Sequence, residues 1–228
     1  VPTVDSRLTA MATAAGREHG LQRVDGFFVF SKEFGFRWTQ QGRQLDLLVS
    51  DYLQDAPDAA LSDFVTGTVG YICSKQSRFG PAYLAYVTSD TYILAKRPVY
   101  LRRSRNLTCT DQGVTRNLCD AAQRIMDLGL IGPHDLDNAF LSWTAAPTFR
   151  RLGYCSTMMR VVAISSAFDN ENVPEYALDY VVYHECLHLR QGYRPFVHRH
   201  HDAEFRRQEH LFPEWRTAEN ILKSLARY

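Results

Sequence analysis

The segment from Pro174 to Leu189 constrains the fold most. Ala177, Leu178, Val181, Val182, Cys186 and Leu189 recur along it at helical spacing, so the helix it predicts has to be buried. Pro174 suits the opening of that helix, and Gly192 suits the residue just past its end. Three polar residues, His184, Glu185 and His188, intrude on the apolar stretch, and a buried helix tolerates such groups only where they find partners. His184 and His188 are four apart and share one face, from which two imidazole nitrogens can reach one tetrahedral ion. Glu185 is turned by about 100° from His184. From there its carboxylate can take a proton from water beside the ion without occupying a ligand position. The bland alternative is a pair of core histidines satisfied by hydrogen bonds. The whole pattern His184-Glu185-Cys186-Leu187-His188 favours a metal, and zinc first.

A zinc ion that does chemistry commonly keeps three protein ligands and one open position. Downstream candidates for the third ligand are His198, His200, His201, Glu204, Glu209 and His210. The metzincin continuation would need glycine where Gln191 stands and histidine where Arg194 stands, so that class is excluded. His201 is preferred because it opens a new helical stretch whose Phe205 can anchor in the core. Glu204 is the rival, and His198 and His200 then fall in a loop or behind the ligands. Tyr193, His198 and His210 are the candidates for stabilising an oxyanion.

The rest of the chain reads as an α+β pattern. Helical spacing covers residues 6–19, aromatic and β-branched runs predict strands at 27–30, 34–38 and 45–49, and Gln41-Gly42 marks a turn. An apolar helix over 60–72 follows Pro57. Residues 74–110 predict loops with short elements, because Pro81 and Pro98 interrupt them. Helices are expected over 111–130 and 135–143, a hairpin over 149–155 and 159–165, and two further helices from His201 to Leu225 on either side of Pro213. The strand at 160–165 is a candidate for pairing with an extended peptide. The order helix, hairpin, proline, apolar helix occurs twice, and Asp55-Ala56-Pro57-Asp58-Ala59-Ala60-Leu61 parallels Asn172-Val173-Pro174-Glu175-Tyr176-Ala177-Leu178. In that alignment Gly67 and Tyr71 stand where His184 and His188 stand, so only the second half keeps a metal site. Coincidence between two proline-started helices fits so short a match equally well.

Composition narrows the partners. A formal charge of +1 over 228 residues gives no broad field for nucleic acid or a membrane surface, and the short clusters Arg102-Arg103-Ser104-Arg105 and Arg206-Arg207 read as solvated surface. No apolar run approaches the roughly 20 residues of a membrane helix. Five widely spaced cysteines without a C-x-x-C pair suit a reduced, cytoplasmic setting.

Gly153-Tyr154-Cys155-Ser156, then Pro174-Glu175, Leu178 and Tyr180-Val181 leading into His184-Glu185-Cys186-Leu187-His188-Leu189, then His201 with Phe205, resemble in this order the SprT-like and YgjP-like zinc metallopeptidases. The resemblance covers about 136–215 and leaves the first half unexplained. It implies a zincin-like metallopeptidase domain in which a small sheet packs on the motif helix, zinc bound by His184, His188 and His201, Glu185 as catalytic base, and a peptide or protein substrate. The stretch between His188 and His201 departs from the family pattern, as does Arg206 where the family has tryptophan. The expected organisation is an N-terminal α+β region over 1–130, readable as a degenerate structural repeat, and the metallopeptidase domain over 131–228. Two rival expectations stand beside it: a zinc-binding scaffold whose catalytic pattern is silent, and hydrolysis of a non-peptide substrate.

Overall fold

The structure, a computed structural model, describes residues 3–75, 78–196 and 199–225 and divides into two compact units, Val1–Lys96 and Arg97–Tyr228. The division falls well before the boundary near residue 130 expected from the sequence.

The first unit runs α1 (Ser6–Glu18), β1 (Arg23–Val29), β2 (Phe36–Gln41), β3 (Gln44–Ser50), a 3₁₀ turn at Asp51–Leu53, α2 (Asp58–Ser74) and α3 (Pro81–Val87), and it ends within α4 (Asp90–Arg103). The Asp5 side chain caps α1 by accepting from the Leu8 N–H at 2.8 Å. Its sheet has the order β1-β3-β2, with β1 parallel and β2 antiparallel to β3. Gly42 takes the left-handed conformation (φ +58°) that the tight β2–β3 turn needs. Residues 74–110, expected as loops with short strands or helices, contain the short helix α3 and the longer helix α4. Pro81 occupies the first turn of α3, where its missing N–H costs nothing. Pro98 lies inside α4 and removes the bond to the carbonyl of Leu94, a residue 52% exposed, so that water can replace the lost donor.

The second unit contains α5 (Leu118–Asp127), β4 (Phe140–Trp143), β5 (Gly153–Ser156), β6 (Val161–Ile164), α6 (Glu175–Gln191), α7 (Ala203–Glu209) and α8 (Trp215–Leu225). α5 packs against α6 within this unit. The helix expected over 111–130 is shortened at its start, because the Asp169 carboxylate accepts the backbone N–H groups of Val114, Thr115 and Arg116 and holds them in a turn. Asn117 then caps α5. Where a helix was expected over 135–143, a 3₁₀ turn at Pro133–Leu136 leads into β4, which gains parallel pairing to the fully buried strand β6. The sheet order is β4-β6-β5, so β6 is bonded on both sides. The strand at 160–165, expected to accept a peptide, has no free edge; β4 and β5 are the edge strands, and β5 packs on α6.

The two units repeat one topology. Each has a first strand parallel to its third, a hairpin partner on the outside, a short 3₁₀ turn, and then a 17-residue helix opened by a proline, Pro57 for α2 and Pro174 for α6. Both helices are buried around most of their circumference, as the apolar patterns of 60–72 and 177–189 require. Among the described residues no helix is long and apolar enough to cross a membrane, and all five cysteines are free.

Near its end α6 is tied to the turn before β4 by Arg190, whose Nε and Nη2 donate to the two carboxylate oxygens of Asp135 at 2.9 and 2.7 Å. This hydrogen bond holds the Asp135 carboxyl below its ordinary value against the opposing effect of burial. Its contribution to stability is therefore fully present above the unfolded carboxylate value of about 4 and is lost as pH falls through the lower folded value. Asp135→Asn is expected to lower the thermal midpoint at pH 7 and to change it much less at pH ~3, read by thermal unfolding at the two pH values.

Candidate metal centre

α6 places His184 and His188 on one face, and the segment before α7 brings His201 to them. One ring nitrogen from each of the three lies within 4.8 Å of the others, close enough to hold a metal ion. The Nε2 atoms of His188 and His201 are 3.1 Å apart. Two nitrogens bound to one tetrahedral zinc at 2.0–2.1 Å would be roughly 3.4 Å apart, so the spacing fits a shared ion. Phe205, 2% exposed, forms the floor beneath the three rings, with centroids 5.0, 4.7 and 4.7 Å from His184, His188 and His201. Burial, followed by the charges of neighbouring histidines, pushes His188 down to about 4. Burial and His184 also lower His201. Both imidazoles are thus neutral near pH 7 and have lone pairs to give, as metal ligation requires.

Of the other downstream candidates, Glu204 is exposed and engaged by Arg207 and by Gln208, whose Nε2 donates at 2.8 Å. His200 is exposed with its ring 6.4 Å from that of His188, and His210 stacks on Trp215 at 3.9 Å. His198 lies outside the described residues. Glu209 takes a role the sequence did not assign to it. It is 2% exposed, and its carboxylate accepts from His184 Nδ1 at 2.6 Å and from Arg206 at 2.9 Å. Burial alone would raise its pKa, but the hydrogen bond and charge of His184, together with Arg206, hold it at about 2. With Nδ1 engaged, His184 has its Nε2 left for a metal, and the ring orientation is fixed from behind. The available signal was the position of Glu209 four residues after Phe205, on the inward face of α7.

Glu185 is 6% exposed and sits directly against β5. A Cβ on Gly153 would fall 2.7 Å from Glu185 Oε1 and 3.0 Å from its Cγ, so a side chain there would push the Glu185 carboxylate aside. Burial pushes Glu185 up to about 7, with the charges of His184 and Arg151 opposing. A carboxyl near neutrality can both take and return a proton. Glu185 and the three histidines open on a cleft of about 450 Å³ that is also lined by Gly153, Tyr154, Cys155, Arg151, Tyr193 and Arg194.

The first unit has the same scaffold without the site. Counted from the two prolines, α2 carries Gly67, Thr68 and Tyr71 where α6 carries His184, Glu185 and His188. Phe36 pairs with Val49 one residue before Ser50, as Gly153 pairs with Ile164 one residue before Ser165, and a 3₁₀ turn follows each serine. Phe79 meets Tyr83, four residues later, edge-on at a centroid distance of 4.7 Å, and His201 lies tilted against Phe205 at the same spacing and distance. A Cβ on Gly67 would meet Phe79 Cδ1 at 2.5 Å, so the Phe79 ring fills the space that a side chain at this position would need. In place of the three histidines that could hold an ion, the first unit has an aromatic cluster in which Phe64 contacts both Phe79 and Phe36.

Comparison of this chain with protein-family models, with curated proteins and with solved structures finds no match.

Removing the charge behind His184 while keeping the side chain's shape tests the orienting role. Glu209→Gln is expected to weaken metal affinity about 10–100-fold, measured by competition with a chromophoric chelator, whereas Glu204→Gln leaves it unchanged. Equal affinities for the two variants would rule the role out.

Proposed function

We propose that this chain is a zinc-dependent metallopeptidase of the SprT-like kind, with His184, His188 and His201 as ligands and Glu185 as general base. The observation that carries the proposal is a buried carboxyl poised near neutrality beside three convergent imidazoles, in a cleft bordered by the edge strand β5. Three nitrogen donors suit zinc. Among the described residues no further His, Cys, Asp or Glu joins the group, which favours an open coordination position over the closed site of a structural scaffold. A bound dication supplies Lewis acidity, polarising a carbonyl and lowering the pKa of water beside it.

The chain's own residues account for the rest. An extended peptide can add to the outer edge of β5, which lines the cleft with Gly153, Tyr154 and Cys155, and main-chain pairing there would present a peptide carbonyl to the histidines. Glu185 takes a proton as water oxygen bonds to the carbonyl carbon, then delivers it to the amide nitrogen as the C–N bond breaks, leaving a carboxyl group and an amine. Of the three side chains considered for the developing oxyanion, Tyr193 lines the cleft, whereas His210 is held against Trp215.

Two variants test the assignment against a casein or fluorogenic-peptide assay, with zinc content measured in parallel. Glu185→Gln should retain zinc and lose about 10²–10⁴-fold in kcat. Gly153→Ala should also retain zinc and lower kcat, because the added methyl displaces Glu185 without touching a ligand. Full activity in either variant would sink the assigned role of Glu185.

A further inference from the structure

We propose that Arg151 makes this a cleft for anionic peptides, by pairing with a substrate carboxylate that passes β5. The inference rests on the peptidase reading for the kind of ligand, and on the charges around the cleft for its sign. Arg151 lines the same cleft as the three histidines and Glu185. It is exposed, and its guanidinium is held over the Tyr154 ring at 4.4 Å. A guanidinium held over a ring face can still offer the N–H groups at its edge to a carboxylate. No carboxylate among the described residues pairs with Arg151.

The other charges in the cleft do not compete for that role. Arg194, the second arginine on its wall, is already paired with Asp202 at 3.0 Å. The one carboxyl lining the cleft, Glu185, is buried against Gly153. Of the two arginines on the cleft wall, Arg151 is thus the one without a carboxylate at ion-pair distance among the described residues, and a metal dication on the histidines would add positive charge beside it. Because Arg151 lies two residues before β5 and stacks on a β5 side chain, a peptide paired along β5 brings one of its residues beside the guanidinium. A carboxylate can meet the guanidinium fork with two parallel hydrogen bonds, which a carboxamide cannot match. The carboxylate can come from an Asp or Glu side chain or from the C-terminus of the peptide.

The test is binding to zinc-loaded Glu185→Gln protein, which should hold peptides without cutting them. Fluorescein-labelled hexapeptides with amidated C-termini, identical except for Glu, Gln or Lys at one central position, are compared by fluorescence anisotropy with the Gln peptide carrying a free C-terminal carboxylate. The Glu peptide, the free-carboxylate peptide or both should bind about tenfold tighter than the amidated Gln peptide. The arm that gains identifies the source of the carboxylate. Adding Arg151→Glu should abolish the gain and favour the Lys peptide, and high salt should shrink both preferences. Equal affinities for all four peptides, no binding by any, or a preference unchanged by Arg151→Glu would overturn the inference. Hydrolysis by the wild-type chain is scored separately. Cleavage without charge preference overturns the role of Arg151 alone, whereas charge-dependent binding without cleavage overturns the peptidase reading and leaves Arg151 standing.

Discussion

A helix buried on nearly every side cannot carry polar side chains unless each is answered from outside the helix, and α6 meets that condition from two directions. From α7, Glu209 accepts the Nδ1 proton of His184, and Phe205 supports all three imidazoles. From β5, Gly153 omits a side chain so that Glu185 can fit against the backbone. The remaining structure of the second unit serves these two approaches. β6, buried along its length, holds β5 in register beside α6, and Asp202 starts α7 by accepting from the Phe205 N–H at 2.8 Å, which sets both Phe205 and Glu209.

The first unit shows what the same scaffold does without histidine or carboxylate side chains at the corresponding helix positions. The exchanges there are paired by volume. Where β5 has glycine and α6 has glutamate, the first unit has Phe36 and Thr68; where α6 and the following segment have two histidines, it has Gly67 and Phe79. The small Gly67 is matched by the Phe79 ring lying against it, so packing is kept there while the histidines are absent. A core can absorb such exchanges only if both partners change, since one large residue added alone would overpack and one removed alone would leave a cavity. The aromatic cluster around Phe64 is therefore a second solution for the same space, and the metal-binding solution depends on its own set of small and large positions, not on the topology.

How much of this was legible in the sequence follows from the range of each interaction. α6 was legible because its apolar spacing and its end signals, Pro174 and Gly192, are local, and the juxtaposition of His184 and His188 follows from helical geometry alone. The doubled topology was visible as a short match around the two prolines. What was not legible depends on contacts distant in sequence. The turn before α5 is held by Asp169, more than fifty residues away, and β4 is a strand only because β6 lies beside it. Pro98 misled for a related reason: its cost depends on whether the carbonyl it orphans faces water, which sequence does not state. Glu209 was seen as a possible ligand but not as the group behind one, because that distinction turns on which way α7 faces.

The contact between Gly153 and Glu185 joins the two halves of the chemistry. Bringing β5 to backbone distance from α6 strips water from the Glu185 carboxyl, and that burial raises its proton affinity toward neutrality. The same approach makes β5 a wall of the cleft, so the strand that tunes the base is also the one along which a peptide would lie. If β5 lay farther from α6, Glu185 would be hydrated and more acidic, and a peptide paired to β5 would be displaced from the histidines by the same distance. In the proposed peptidase, base strength and substrate position would thus be set by one spacing, and the residue that permits that spacing is a glycine.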